Sequence, residues 1–313
     1  MKPELTEQKF KVSKEAVLNV ENIRGLIQIT RGDDKEISIS AKKHLDSGDV
    51  ENTQVSIEQE KSGAVKVRTI YKNRKVILMG LGNGKPAKVE YEIKVPKHAS
   101  IEANNVSGDL TVEVIDGIFD LNTVSGKIIA SKLNDQIKLN TVSGKIEGDA
   151  LRGEADVNTV SGTVYMKKCD FPRLDLNSVS GKMVVETPIG DGPYDLNTVS
   201  GNVKLIVEDG TAASVHATSI SGRFKTSLNT TAYSRSHADS RADINGGGTK
   251  ILMNSISGDL YLVTSEDDVA VTPANSNINR AKSNQPSSEE RLGILSEIHE
   301  GTLSIDDALV KLG

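Results

Sequence analysis

Apolar and polar positions recur with a fixed period between residues 103 and 260. The repeated phrase is clearest at residues 121–128 and 139–146, where it reads Leu-Asn-Thr-Val-Ser-Gly-Lys-Ile. Its Ser-Gly pairs are separated by 18, 18, 18, 19, 20, 21 and 36 residues. Short β-branched runs that end in a glycine turn predict β-strands, and such a period predicts one structural unit stacked on itself. The serines are Ser107, Ser125, Ser143, Ser161, Ser180, Ser200, Ser221 and Ser257.

The length of the repeat decides between two ways of connecting parallel strands. A helical crossover needs a unit of about thirty residues or more, which is longer than one repeat. The sequence therefore predicts an all-β fold, a right-handed parallel β-helix (β-solenoid) with one coil of about 18–20 residues per repeat. In such a coil, equivalent residues stack in columns about 4.8 Å apart.

An asparagine stands three residues before most of the repeated serines. We expect these asparagines to form an inward ladder, in which side-chain amides bond one another and the turn backbone. The alternative is a set of unrelated, exposed turn asparagines. The predicted structural ladder consists of Asn104, Asn122, Asn140, Asn158, Asn177, Asn197 and Asn254.

The pattern changes on both sides of the repeat. Residues 9–95 contain alternating runs that predict strands but do not keep the period, and residues 17–29 resemble an irregular first copy. Terminal units of a solenoid are atypical because they cover the ends of the stack. The predicted organisation is a β cap at residues 1–100, the solenoid at 101–265, a flexible linker at 266–286 and a helical hairpin at 287–313.

The predicted C-terminal hairpin begins with a capping box, Ser-Ser-Glu-Glu, at residues 287–290. Two helices of about ten residues each are too short to be stable alone, so their apolar face needs a partner. We expect that partner to be another protein or a second copy of this chain. The predicted docking residues are Leu292, Leu295, Ile298, Leu309 and Leu312.

Two further stretches affect the predicted assembly. The repeat lapses at residues 229–248, which predicts either a drifted coil or a binding loop. Residues 256–262 keep the pattern of a regular repeat, so we expect the C-terminal end of the stack to expose an uncovered strand edge. Self-association through the hairpin is the favoured outcome, and a hairpin folded back over that edge is the alternative.

Candidate chemistry is sparse along the chain. The repeated serines lack a Gly-x-Ser-x-Gly frame and a matching histidine column, and the five histidines are scattered singly. Single Cys169 excludes an internal disulfide and a cysteine-ligated zinc site. The sequence predicts no catalytic, cofactor-binding or metal site. An acidic column formed by Asp120, Asp156, Asp175 and Asp195 is interpreted as a solvated strand face, with calcium or a carboxylate pair as the alternative.

Charge and hydropathy limit the partners. A net charge of −5 and a pI near 5.7 argue against nucleic acid as a partner. The sequence predicts no transmembrane segment, and its first residues carry no apolar signal region, so a cytoplasmic location is expected. The alternative is the cell surface, by a non-Sec route or if the sequence is trimmed.

The Asn-Thr-Val-Ser-Gly repeat, the Asn-Ile-Arg-Gly turn at residues 22–25 and the Ile-Ser-Ile-Ser-Ala strand at 37–41 resemble a bacterial domain-of-unknown-function family named "putative adhesin". The resemblance covers residues 9–265 and implies no catalytic residues. Residues 294–309 resemble the SHOCT-like helical hairpin. Relatives that combine the two modules look like envelope-stress proteins.

These observations favour a non-enzymatic scaffold or interaction protein linked to bacterial cell-envelope stress, with the hairpin as its docking or self-association module. The alternative is a surface-displayed adhesin or glycan-binding rod that uses its stacked polar columns. A solenoid enzyme of the polysaccharide-lyase kind would need a singular charged cluster, and the sequence contains none that can be identified.

Overall fold

The structure is a computed structural model that describes residues 2–12, 15–72 and 85–273. The described residues form β-strands, turns and bends, with no helix among them, and Met1–Ala274 is one compact unit. The predicted all-β fold is confirmed. The predicted hairpin and most of the predicted linker lie outside the described residues.

The strands are β1 (Glu4–Lys11), β2 (Ala16–Arg24), β3 (Ile27–Arg31), β4 (Glu36–Lys43), β5 (Thr53–Gln59), β6 (Val65–Tyr71), β7 (Val89–Val95), β8 (Ala99–Ser107), β9 (Leu110–Asp149), β10 (Arg152–Ser161), β11 (Thr163–Lys167), β12 (Leu174–Ser180), β13 (Met183–Glu186), β14 (Tyr194–Ser200), β15 (Val203–Ile206), β16 (Ala213–Ser219), β17 (Phe224–Thr226), β18 (Thr230–Ser236), β19 (Asp239–Ile244), β20 (Thr249–Ser257) and β21 (Leu260–Val263).

The repeats stack as parallel coils in register. Asn158 of β10 lies opposite Asn177 of β12, and Ser161 lies opposite Ser180, so each repeat pairs with its equivalent in the next coil. β9 runs for 40 residues through successive coils without interruption. Left-handed φ angles recur 18 residues apart at Val114, Lys132, Ala150 and Lys168, and these mark a corner of the coil. The right-handed sense of winding stays a prediction.

The strands before the Ser-Gly corner pair into one sheet, and the strands after it pair into a second sheet. The first sheet has the order β5-β6-β2-β8-β9-β10-β12-β14-β20-β16-β19-β18. The second sheet has the order β1-β4-β7-β3-β9-β11-β13-β15-β21-β17. β9 contributes to both sheets because it passes through the corners that join them.

The spatial order of the coils departs from the chain order at both ends. The last repeat, β20 and β21, lies between the coil of β14 and β15 and the coil of β16 and β17. The predicted uncovered edge at residues 256–262 is therefore wrong, since that coil is paired on both sides. Sequence periodicity identifies equivalent strands, but it carries no information about which of them are neighbours.

The end of the first sheet is covered by antiparallel strands. β19 pairs antiparallel with β16, and β18 pairs antiparallel with β19. Residues 229–248, predicted as a drifted coil or a binding loop, instead contain these two strands. The N-terminal end of the stack is also covered by antiparallel strands. β5 pairs antiparallel with β6 in the first sheet, and β4 pairs antiparallel with β7 in the second sheet. Antiparallel strands at both ends cover edges that the parallel stack would leave unpaired.

The core is a narrow file of aliphatic side chains between the two sheets. Residues four before the repeated serine, such as Leu121, Leu139 and Val157, are fully buried. So are Ile128, Ile146 and other residues three positions after it. Because equivalent residues lie in adjacent coils, each buried side chain packs on its equivalent in the next coil, and removal of this apolar surface from water stabilises the stack.

Glycine at the Ser-Gly corner is required by the spacing of the coils. A Cβ at Gly144 would lie 1.9 Å from the carbonyl oxygen of Gly126, and one at Gly162 would lie 2.3 Å from the oxygen of Gly144. Backbone hydrogen bonds keep the corners of adjacent coils this close together; the Gly162 amide, for example, donates to the Ser180 carbonyl at 3.2 Å. A side chain at this corner would push neighbouring coils apart.

We expect Gly144→Ala to lower the free energy of unfolding by about 1 to 3 kcal/mol, because the methyl group meets backbone that flexes little. The backbone of Gly144 lies outside the left-handed region, so the loss would report the contact and not a forbidden φ. Urea denaturation of the full chain measures it. Ser143→Ala, at the exposed neighbour, is the control; equal and small effects at both positions would contradict the argument.

Candidate functional site

The predicted asparagines form a hydrogen-bonded column that runs from coil to coil. From Asn122 onward, the side-chain amide of each one donates to the Oδ1 atom of the asparagine in the neighbouring coil. The distances are 3.0 Å for Asn122 to Asn104, 2.7 Å for Asn140 to Asn122, 3.0 Å for Asn158 to Asn140, 3.1 Å for Asn177 to Asn158, 3.0 Å for Asn197 to Asn177 and 2.8 Å for Asn254 to Asn197.

The column does not point inward, which corrects the sequence-based expectation. Asn122 is half-buried, whereas Leu121 and Thr123 on either side of it are buried. Successive side chains of a strand point to opposite faces, so a leucine in the core places the following asparagine outside. The amides therefore connect the coils along the outer face of the first sheet.

In several of these asparagines, the side-chain amide also donates to a carboxylate two residues earlier in the strand. Asn122 donates to Asp120 at 2.9 Å, and Asn158 donates to Asp156 at 2.7 Å. Asn177 repeats the contact with Asp175 at 2.7 Å. Both amide hydrogens are thus used within the protein, while each carboxylate keeps acceptor capacity for groups arriving from solvent.

The start of this face is a shallow groove of 380 Å³. Its charged lining combines four carboxylates with Lys138 and Arg173, and half-exposed Ile118 gives it one apolar wall. Such a lining can accept hydrogen bonds from hydroxyl or amide donors. In the part of the chain that the structure describes, no cluster of three or more His, Cys, Asp or Glu side chains could hold a metal ion. The carboxylates are Asp120, Glu154, Asp156 and Asp175.

A column of exposed valines runs beside the asparagines. The valine before each repeated serine is between 46% and 48% exposed in the middle coils. The sequence-based prediction assigned these valines no face. The column consists of Val106, Val124, Val142, Val160 and Val179.

A column of buried hydroxyls lies under the asparagines and was missed from the sequence. Its middle members have no hydrogen-bond partner for their hydroxyl among the described residues; they are Thr123, Thr141, Thr159, Ser178, Thr198 and Ser255. Ser219, near the end of the stack, differs because its hydroxyl donates to the Gly258 carbonyl at 3.1 Å and accepts from the Gly222 amide at 2.9 Å. Each of these hydroxyl residues stands two positions after a core residue such as Leu121. Residues two apart in a strand share a face, and this rule would have located the column.

Two lysines that stand two residues after a repeated serine pair with one carboxylate. Lys145 contacts Glu147 at 2.6 Å, and Lys127 contacts the same side chain at 3.4 Å. The hydrogen bond from Lys145 is the main cause that lowers the pKa of Glu147. These lysines therefore do not form an uninterrupted positive surface.

A strap follows the last strand and crosses the outer face of the second sheet; we define it as residues 264–268. The Tyr165 hydroxyl donates to the Glu266 carboxylate at 2.9 Å, and Lys204 donates to the Glu266 carbonyl at 2.5 Å. Nearby, Val184, Ile206 and Val263 form a small buried cluster outside the main core. The predicted linker thus begins in a segment that is bonded to the sheet.

Asp268 holds the strap in its turn. Its carboxylate accepts hydrogen bonds from the Ser265 hydroxyl at 2.9 Å, from the Ser227 hydroxyl at 3.0 Å and from the Thr264 hydroxyl. Hydrogen bonds from Thr264, Ser265 and Ser227 hold the pKa of Asp268 well below its usual range. The ionised carboxylate is therefore the form that the strap stabilises.

The predicted docking residues of the hairpin, Leu292, Leu295, Ile298, Leu309 and Leu312, lie outside the described residues. Among the residues that are described, none belongs to a helix long and apolar enough to cross a membrane.

We expect substitutions at two adjacent positions to change stability in opposite directions. Asn140→Leu removes hydrogen bonds on both sides of the column and should cost about 1 kcal/mol, a moderate value because the site is half-exposed. Thr141→Val removes a buried hydroxyl without a partner and should be neutral or stabilising by up to about 1 kcal/mol. Urea denaturation of both variants measures the change in the free energy of unfolding and its sign. A clear loss for Thr141→Val would mean that its hydroxyl is bonded in solution.

The strap should be sensitive to pH through Asp268. A lowered pKa in the folded state means that the ionised group stabilises the fold fully above its unfolded pKa of about 3.9, and that this contribution is lost as the pH falls through the folded pKa. We expect Asp268→Asn to lower the melting temperature between pH 5 and 8, with a gap that narrows below about pH 4. Asp267→Asn, at the exposed neighbour, removes the same charge and should show no such gap.

The chain is similar to one protein family and to distantly related solved structures. No curated protein matches the chain. A crystal structure of a "putative cell adhesion protein" from Clostridium sporogenes has 10% identity and a TM-score of 0.26, covering 84% of this chain and 99% of that chain. "Putative adhesins" from Bacteroides fragilis and Parabacteroides distasonis each have 14% identity, with TM-scores of 0.37 and 0.38. They cover 83% of this chain and 96% and 97% of those chains, respectively.

The family model described as Toastrack DUF4097 matches residues 17–263, from the first coil strand to the last. This range is most of the 313-residue sequence and contains every coil described above. The chain therefore belongs to the Toastrack DUF4097 family.

Proposed function

We propose that this protein is a non-enzymatic interaction protein, a scaffold whose coils present a partner with the same chemical groups at regular intervals. The observation that carries the proposal is the outer face of the first sheet, where asparagine amides, aspartate carboxylates and exposed valines repeat in register. A repeat of about 4.8 Å between coils matches extended partners that bind several coils at once.

Two features support a binding role over catalysis. The outward asparagines and valines are the same in successive coils, whereas a catalytic site needs a singular arrangement of an acid, a base or a nucleophile. The asparagine amides also donate hydrogen bonds to neighbouring coils and to carboxylates, and these bonds hold the face in one conformation before a partner binds. A rigid face binds with a smaller loss of conformational entropy.

The predicted SHOCT-like hairpin at residues 287–313 supplies the second part of the proposal. Its apolar positions would dock a protein partner or a second copy, and the coils would present that assembly to a target in the response to envelope stress. The support is the amphipathic sequence pattern of Leu292, Leu295 and Ile298 together with the shortness of the predicted helices.

A glycan-binding rod, including a surface-displayed adhesin, is the second candidate. The groove between Ile118 and Asp175 favours it, because carboxylates and guanidinium groups hydrogen-bond the hydroxyls of sugars. Glycan binding would use the carboxylates of the groove, while protein binding would also use the valine column. The two candidates therefore predict sensitivity to different substitutions.

Cross-linking in the bacterial cell, with the tagged full chain as bait, tests the proposal. A triple variant, Val124→Glu, Val142→Glu and Val160→Glu, adds charge to half-exposed positions without touching the asparagine column. We expect it to lose most of the cross-linked proteins. Leu295→Glu with Ile298→Glu is the matched test of the hairpin. A set of cross-linked proteins that is empty, or unchanged in both variants, would contradict the proposal.

Affinity electrophoresis in polysaccharide gels tests the glycan candidate. Retardation of the full chain that is lost in Asp156→Asn with Asp175→Asn, and kept in the valine variant, would favour the glycan-binding rod. Equal mobility with and without polysaccharide would exclude this candidate for the polymers used.

A further inference from the structure

One long strand edge is left without a partner within the described residues. β1 pairs with β4 over all eight of its positions, and no other described strand pairs with β1. Its pairing has no bulge, and Leu5 on its outer face is 59% exposed. An unpaired edge of this length presents a row of backbone donors and acceptors that another strand can bind.

The hydrogen bonds to β4 define which residues face the open edge. The Val12 amide donates to the Lys35 carbonyl at 3.0 Å, so Val12 and alternate residues before it are directed at β4. The Lys11 carbonyl instead accepts from the Gln59 side chain at 3.0 Å, which confirms that it is turned away from β4. By alternation, the residues with backbone groups at the open edge are Leu5, Glu7, Lys9 and Lys11.

The charges along this edge are complementary to themselves in one register. In an antiparallel pair of β1 strands with the two-fold axis at Gln8, each Glu7 lies opposite Lys9 of the second copy. Leu5 then lies opposite Lys11, whose aliphatic stem can cover it. An axis at Glu7 or at Lys9 would place like charges opposite each other, as would an in-register parallel pair. The charges therefore favour an axis at Gln8, because that axis pairs each Glu7 with a Lys9.

Other sheet ends do not show this complementarity. The outermost strand β18 carries one charged residue, Arg235, and β5 carries Glu58, which is bonded to Arg68 at 2.6 Å. In β1, Lys9 contacts Glu36 of the neighbouring strand β4 at 2.7 Å, and its side chain remains exposed. A second Glu7 would give it another carboxylate.

We propose that two copies of this chain associate through antiparallel pairing of their β1 strands, with the two-fold axis at Gln8. The second sheets of both copies then form one continuous sheet across β4, β1, β1 and β4. This interface is separate from the predicted C-terminal hairpin and does not depend on the function proposed above.

Disulfide trapping of the full chain tests the register. At the axis, opposite residues form a non-hydrogen-bonded pair with Cα atoms about 4.5 Å apart, within the range of a disulfide. We expect Gln8→Cys to give a covalent dimer under mild oxidation. Leu5→Cys is the control, because the two copies of that position would be about 20 Å apart. The native Cys169 is buried and should not contribute.

Charge substitutions give a second, reversible test by sedimentation velocity. Glu7→Lys and Lys9→Glu should each sediment as a monomer at concentrations where the native chain dimerises. An equimolar mixture of the two variants should recover the dimer, since each substituted side chain would then face one of opposite charge on the other variant. A native chain that stays monomeric at all concentrations, or a dimer that neither substitution weakens, would overturn the proposal.

Discussion

The close approach of backbone at the Ser-Gly corner is the constraint on which the stack depends. Gly126, Gly144 and Gly162 each lie against the glycine carbonyl of the neighbouring coil, at distances that leave no room for a Cβ. Because the corners are in register, the strands on both sides of them are in register as well. The aliphatic file inside and the polar columns outside both follow from this single alignment. A repeat without glycine at this position could keep its hydrophobic pattern and still fail to stack.

Stacking in register also creates a problem that the outer asparagines solve. It places like side chains one above another, and aspartates at such spacing repel. Several of these asparagines bridge two coils and also donate to a nearby carboxylate, as Asn158 does toward Asn140 and Asp156. The amide dipoles thus offset part of the repulsion between stacked carboxylates. The inward threonines have no comparable role, since the hydroxyls of Thr141 and Thr159 find no partner among the described residues. Threonine suits that position through its β-branched shape.

Periodicity made the coils predictable, and its limits explain what was not predicted. The Leu-Asn-Thr-Val-Ser-Gly phrase indicated strands, glycine corners and stacked columns, because each depends on residues within one repeat. The face of Asn122 follows from the burial of Leu121 by strand parity, so the inward ladder was an error that the sequence could have corrected. The strap at Glu266 and the edge at β1 depend on contacts between distant segments, such as Tyr165 with Glu266. No local pattern records such contacts.

The order of the coils has a consequence for how the stack forms. β16 pairs with β20 on one side and with β19 on the other, and it has no pairing with β14, the preceding strand of the first sheet. The coil of β16 and β17 can therefore join the parallel stack only after residues 249–263 have entered between it and β14 and β15. The other end is similar, because β2 can pair only after the later strands β6 and β8 are in place. Contacts of such sequence separation make closure of both ends slow relative to the sequential middle coils. The antiparallel pair of β18 and β19 can cover the outer edge of β16 before then, since it is local in sequence and needs no other coil.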